Sequence, residues 1–307
     1  MHFHVETIEA WDKRLEPLVA ESRALPGVPI EEARPFQEWL DSVVDRIRRH
    51  EVSALVACED GMPVGLMGYV QKRHVIRVHY LYLRSGHREQ VTGFLRRAES
   101  ILPSAHRIIV EGGPQTLLDE AVGAEGFYAA GYQRFERARL ERALDDSFHR
   151  LDDPGIIPLP VDEVEELVSL QRVGYIGSPD YLLVDDFEDM VHEMLNDPWL
   201  CPAASFAVTD GERLTAALYT VVKGPLAWIA SLCVHPEARG QRLASRLMRH
   251  ALAAYRDAGF QRAGLHVTLA NRPAVLLYEH MGFTLAERIS LLYAKEVVVA
   301  AHHEARP

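Results

Sequence analysis

The stretch VHPEARGQRLASRLM, residues Val234–Met248, decides how this chain is read. Apolar residues run up to Val234, and Pro236 and Gly240 then break the extended pattern. Leu243, Leu247, Ala251, Ala254 and Tyr255 follow at spacings of three and four. This order predicts a strand, a turn and an amphipathic helix, with Gly259 as the helix stop. At the start of such a helix the first backbone N–H groups lack an intrahelical acceptor, and the positive end of the helix dipole lies behind them. Arg239-Gly240-Gln241-Arg242-Leu243-Ala244 is therefore a candidate cradle for a pyrophosphate. Gly240 lets the backbone come close to the phosphates, and Arg239 adds charge. A plain turn with surface arginines would have the same composition, so the surrounding sequence has to decide.

Upstream, ASFAVTDGERLTAALYTVV (Ala204–Val222) reads as strand, turn and strand, and PLAWIASLCV (Pro225–Val234) as a further strand. Downstream, AGLHVTLA (Ala263–Ala270) is strand-like. The first half repeats this order: SALVACEDGMPVGLMGYV (Ser53–Val70), HVIRVHYLYL (His74–Leu83), a Gly-containing turn, a helix and RIIVEGG (Arg107–Gly113). Both halves then reach a Gly-Phe pair, Gly126-Phe127 and Gly282-Phe283, and a closing strand. Amphipathic helices are expected over about 8–24, 36–50, 161–175 and 185–196. Turn-formers (Asp152-Asp153-Pro154-Gly155, Pro158, Pro160) mark a boundary near 145–160. The expectation is an α/β (α+β) protein with two related domains, 1–148 and 149–307, each a twisted mixed β-sheet flanked by helices.

The second informative stretch is NRPAVLLYEHMGF (Asn271–Phe283). With Val234-His235-Pro236 and the Arg239–Ala244 loop, it makes residues 155–298 resemble the GNAT acetyltransferase superfamily. The family's cofactor loop reads Arg/Gln-x-x-Gly-x-Gly/Ala. Arg242 departs from it where glycine is usual; since the motif acts largely through backbone N–H groups, an arginine is tolerated there if its φ/ψ is helical, its side chain then pointing away from the cofactor or onto its phosphates. The resemblance implies acetyl-CoA as co-substrate, its pyrophosphate on Arg239–Ala244 and its pantetheine arm at Asn271. It also implies a thioester carbonyl near Leu232, Cys233 and Val234, and Tyr278 as the acid that protonates the leaving thiolate. Acetyl transfer to an amine passes through a tetrahedral oxyanion, which suits backbone N–H donors, and expels a thiolate, which suits a phenol. Tyr278 also fits a packed helix aromatic.

The general base is harder to place. Many members carry a carboxylate where this chain has Ala230 and Ser231. His266 is the candidate, because imidazole titrates near neutrality, although a strand histidine also packs as core. Cys233 with His235 two residues on lacks a third group to orient the imidazole, and reads as a structural thiol. His192-Glu193 does not complete a zinc-protease motif, since Asn196 stands where the second histidine belongs. Asp180, Asp185, Asp186, Glu188 and Asp189 either attract a cationic amine or form a solvated, helix-capping face; the second reading is preferred.

The first half lacks these parts. Its loop is Leu83-Arg84-Ser85-Gly86-His87-Arg88, and Val122 and Gln115 stand where tyrosine and asparagine would be. It reads as a degenerate, non-catalytic copy.

Composition sets the outer bounds. The chain has 307 residues, 48% hydrophobic and 25% charged, which is a globular profile. The formal charge of −11 speaks against a nucleic-acid partner. No apolar run would span a bilayer and no signal-peptide pattern opens the sequence, so a cytoplasmic chain without a membrane partner is expected. Three scattered cysteines, Cys58, Cys201 and Cys233, predict neither a disulfide framework nor a metal site, and His302-His303 reads as solvated tail. The expected activity is acetyl-CoA-dependent N-acetylation of a primary amine on a small molecule or peptide. The alternatives are a non-catalytic CoA-binding sensor and an enzyme for a longer acyl-CoA; the sequence is silent on oligomeric state.

Overall fold

A computed structural model describes every residue except 1–2, 9–10, 24–29, 102–106, 112–122, 146–147, 149–152, 212 and 298–307. Asp152, Gln115, Val122 and His302-His303 lie outside the described residues. Two compact units emerge: Met1–Glu136 with Ile289–Pro307, and Arg137–Arg288.

The first unit contains β1 (Phe3–Ile8), α1 (Glu16–Arg23), α2 (Ile30–Arg48), β2 (Ser53–Glu59), β3 (Met62–Lys72), β4 (Val75–Leu83), α3 (Val91–Ile101), β5 (Arg107–Glu111) and α4 (Ala124–Ala129). Strands β1 to β4 pair antiparallel in sequence order, and β4 pairs parallel with β5. One buried cluster, from Val5 to Tyr293, forms its core.

β6 (Gln133–Ala143) leads into the second unit. There follow β7 (Ile156–Pro158), α5 (Val164–Tyr175), α6 (Phe187–Leu195), β8 (Phe206–Asp210), β9 (Arg213–Lys223), β10 (Leu226–Val234), α7 (Leu243–Asp257), β11 (Arg262–Thr268) and α8 (Arg272–His280), and β12 (Thr284–Glu296) then leads back into the first unit. Again β7 to β10 pair antiparallel and β10 pairs parallel with β11. Two apolar clusters cover the two faces of this sheet. One involves α7 and α8, the other α5 and α6.

The internal repeat is carried by the register. The bulged residue between β3 and β4 is His79, and between β9 and β10 it is Ala230. The bulge between β2 and β3 falls at Val64, and between β8 and β9 at Thr215. Both pairs are 151 residues apart. A bulge re-aims one strand at one place, so two coincident bulges are stronger evidence of a duplicated architecture than the order of elements alone.

The closing strands depart from the expected division at 148/149. β6 pairs antiparallel with β11, from Arg137↔Thr268 to Ala143↔Arg262, and so completes the second unit. β12 pairs antiparallel with β5, from Leu292↔Glu111 to Glu296↔Arg107, and completes the first. Each unit thus takes its last strand from the other end of the chain. Composition near 145–160 marks a loop but not the partner of the preceding strand, which is a non-local matter. The short strands β1 and β7 add an edge to each unit that hydrophobic pattern did not predict.

Candidate active site

The parallel pairing of β10 with β11 covers only Ala227–Ile229 against Ala263–Leu265. Beyond the bulge at Ala230 the two strands part, while β10 keeps β9 through Val234. His235 N–H donates to Thr215 O at 2.8 Å on the β9 side. Strand alternation then turns Cys233 N–H toward β9, and Leu232 and Val234 N–H toward the opened side. Of the three residues expected beside a carbonyl, two present donors there and Cys233 does not.

After Val234 the chain makes a short turn through Pro236–Ala238 and enters α7. Gly240 has φ +81° and Arg242 φ +60°, ψ +19°. The condition of helical φ/ψ at Arg242 is not met: the residue occupies the left-handed region, where glycine carries no Cβ penalty and other residues are strained by about 1–2 kcal/mol. Among the described residues, none accepts a hydrogen bond from the backbone N–H groups of Gly240 through Ser245; the first to find an acceptor is Arg246 N–H, at 3.0 Å from Arg242 O. Six such donors at the head of a 15-residue helix are a candidate anion cradle. A Cβ built on Gly240 meets nothing within 4 Å, so that side of the loop is open.

The loop is firmly held. Leu243, Leu247, Met248, Ala251, Leu252 and Tyr255 of α7 are buried, and Tyr255 OH donates to Val221 O (3.1 Å) and Trp228 O (2.9 Å). Gly259, φ +90°, ends the helix, with Phe260 N–H returning to Tyr255 O. Arg239 Nη2 donates to Gly174 O at 2.7 Å, tying the loop to the end of α5. Gln241, Arg242 and Arg239 are exposed, Ala244 is half-buried, and the Leu243 side chain belongs to the core, so Leu243 can offer a ligand only its N–H.

Tyr278 lies on α8, 8% exposed, with its ring edge-on to Phe283 at 6.1 Å. Its hydroxyl makes no hydrogen bond among the described residues. Burial above all, then Tyr175 and Asp180, pushes its pKa well above the usual phenol value, so it stays protonated. Tyr175, at the end of α5, is pushed up to about 12 by burial, with Cys233 and Asp180 contributing and a hydrogen bond to Ser231 opposing. Asp180 is placed by a turn capped by Ser178, whose Oγ accepts from Asp180 N–H at 3.2 Å. Its carboxylate accepts from Thr268 Oγ1 and from Asn271 Nδ2, the latter at 2.8 Å. The preferred reading of the acidic run as solvated face is thus corrected for Asp180. It holds for Asp186, which caps α6 through Glu188 N–H and Asp189 N–H.

Asn271 spends both ends of its amide inside the protein: Oδ1 caps α8 at Ala274 N–H (3.4 Å) and Nδ2 holds Asp180. His266 is exposed on β11, two residues before Thr268 and so on the same face of the strand. Its ring stands 5.0 Å from Trp228, edge to face. Desolvation first, then Arg137 and Arg139, pushes its imidazole below the usual value. Cys233 is 3% exposed with Sγ against Leu170 O, and burial raises its pKa to about 12; it is a structural thiol. His235 Nδ1 accepts from Glu237 N–H instead of facing Cys233.

Tyr278, Asn271, Asp180 and Tyr175 are thus one cluster, and Gly174 links it to the loop through Arg239. Sequence reasoning missed Tyr175 and Thr268, which carry no motif. The only signal for Asp180 was its charge.

The sequence matches the Acetyltransferase (GNAT) family over residues 164–283. The second unit holds a GNAT acetyltransferase domain. The matched GNAT stretch spans α5 to Phe283, and so includes the opened strand pair, the anion cradle and Tyr278. A mycothiol acetyltransferase of Geodermatophilus obscurus is 35% identical over 95 residues, 29% of this chain and 31% of the relative's length. N-alpha-acetyltransferase 30 of Schizosaccharomyces pombe is 27% identical over 119 residues, 36% of this chain and 76% of the relative. A solved GCN5-related N-acetyltransferase from Sphaerobacter thermophilus shares the GNAT fold at 16% identity and TM-score 0.50, covering 96% of this chain and 95% of that one. No helix among the described residues is long and apolar enough to cross a membrane.

Proposed function

We propose that the second unit binds acetyl-CoA and transfers its acetyl group directly to a primary amine of a small molecule or peptide. The observation that carries this is the run of six unshared N–H groups, Gly240–Ser245, beside the strand pair that opens after Ile229. The cradle takes the pyrophosphate. Leu232 and Val234 N–H receive the carbonyl oxygen as it becomes an oxyanion. Attack by the neutral amine forms the C–N bond, and collapse of the tetrahedral adduct breaks the C–S bond. Tyr278, still protonated and with no internal partner, delivers a proton to the departing thiolate. Asp180 supplies negative charge where an ammonium approaches, and His266, neutral at pH 7 because its pKa is lowered, takes the amine proton. Asn271 and Thr268 fix Asp180.

The test is a Tyr278→Phe variant of the intact chain, assayed by CoA release over an amine panel and by calorimetric titration with acetyl-CoA. Expected is a loss of about 10²–10⁴ in kcat with cofactor affinity unchanged. No binding of acetyl-CoA by the wild-type chain sinks the reading, and unchanged turnover in the variant removes Tyr278 from it.

A further inference from the structure

Far from the GNAT motifs, on the edge strand of the first unit, three potential metal ligands share one face. His4 and Glu6 are two apart on β1, and His4 is the register partner of Cys58 on β2, so all three side chains project to the same side. Their ligand atoms all lie within 4.8 Å of one another. His4 Nε2 is 3.8 Å from Glu6 Oε2, and Cys58 Sγ is 3.8 Å from Glu6 Oε1. Tetrahedral zinc bonds of about 2.0–2.3 Å place such donors about 3.3–3.7 Å apart, so the His4–Glu6 and Glu6–Cys58 pairs need only a small contraction.

We propose that His4, Glu6 and Cys58 bind a zinc-class divalent cation, with a fourth position open to water. The donor set is what such an ion prefers: a soft thiolate, an imidazole and one carboxylate. Access is provided by His4 and Glu6, whose side chains are 39% and 46% exposed, while the buried thiol shields the far side. The nearby Arg14 is neutralised by Asp12, with Nε to Oδ2 at 2.7 Å. Binding replaces the S–H bond of Cys58 with a metal–sulfur bond and releases the proton to water. The bound ion would fasten the edge strand β1 to β2, a place where a sheet is otherwise easily opened. The expectation of no metal site rested on the scattered cysteines. It could not weigh a single cysteine brought opposite a histidine by strand register.

The experiment is titration of the untagged, chelator-treated full chain with Co²⁺, followed by absorption. A thiolate-to-cobalt charge-transfer band with tetrahedral ligand-field bands is expected, displaced by Zn²⁺. Cys58→Ser should abolish the charge-transfer band, and Glu6→Gln, on an exposed side chain, should weaken Co²⁺ at least about tenfold with an unchanged circular-dichroism spectrum. Absence of the band in the wild-type chain overturns the proposal, as does a band that survives in Cys58→Ser or an affinity indifferent to Glu6→Gln.

Discussion

On β4 of the first unit stands Arg77, and Glu111 follows the paired residues on β5; at the same register positions the second unit has Trp228 on β10 and His266 on β11. In the first unit Arg77 and Glu111 form an ion pair, and His79 Nδ1 lies 3.6 Å from Glu111. Burial alone would raise the Glu111 pKa, but His79 and Arg77 outweigh it and hold the carboxylate ionised. In the second unit the same place holds two rings, with Arg137 and Arg139 around the imidazole, and Arg139 is itself ion-paired with Glu141 (3.0 Å) and Glu287 (3.2 Å). The loops differ in the same sense. The first unit turns at Gly86 and runs through a tight turn, Arg88–Gln90, straight into α3, while His87 Nε2 meets Glu59 at 2.9 Å. The second places two left-handed residues, Gly240 and Arg242, ahead of α7 and leaves its donors unshared. Bulges and pairing recur in both units; what differs is the loop before the helix, whose backbone donors in the second unit find no acceptor among the described residues.

Cutting the chain after 148 has the largest expected effect. The fragment 149–307 lacks the β6 strand that covers β11, and 1–148 lacks the β12 strand that covers β5. Neither fragment is expected to show a cooperative melt alone, and mixing or co-expressing them should restore one; an independently melting 149–307 would show that the exchanged strand is dispensable.

A smaller effect separates the two loops. Gly240→Val puts a β-branched residue at φ +81°, so the free loop relaxes out of its left-handed conformation and acetyl-CoA has to restore it, weakening binding by about tenfold. Gly86→Val, at φ +92°, carries the same strain in the first unit and should lower the melting temperature while leaving acetyl-CoA affinity intact by calorimetry. Equal losses of affinity would mean that both loops hold cofactor.

pH sharpens the contrast between the ring pair and the ion pair. Because the His266 pKa lies below its usual value, the neutral base is fully present at pH 7 and is lost only as pH falls through that lowered pKa. The acid limb of kcat/KM should therefore lie below about 6.5, the ordinary histidine value, and His266→Gln should flatten it. A limb unchanged in that variant assigns the base elsewhere, with Asp180 next in line.

The smallest expected change is at Arg242. Arg242→Gly relieves the left-handed strain but adds chain entropy in the unfolded state, for a net gain of up to about 1 kcal/mol. Acetyl-CoA affinity should hold or rise slightly. A clear loss of affinity would show that the guanidinium itself meets phosphate.

Short-range sequence pattern is enough for the local devices. The α7 stripe, the Gly259 stop, the Arg239–Ala244 loop and the Asn271–Phe283 segment are contiguous, and their periodicity and turn residues are enough to place them. Helix and hairpin order in both halves followed from the same short-range rules. Tertiary structure alone decided which strand closes each sheet, because register and partner depend on contacts more than a hundred residues apart. It also turned Arg242 left-handed, aimed Leu232 and Val234 rather than Cys233 at the opened side, and brought Asp180 under Thr268 and Asn271. Those outcomes depend on the direction in which a backbone or side chain points, and composition and spacing carry no direction until the sheet has formed.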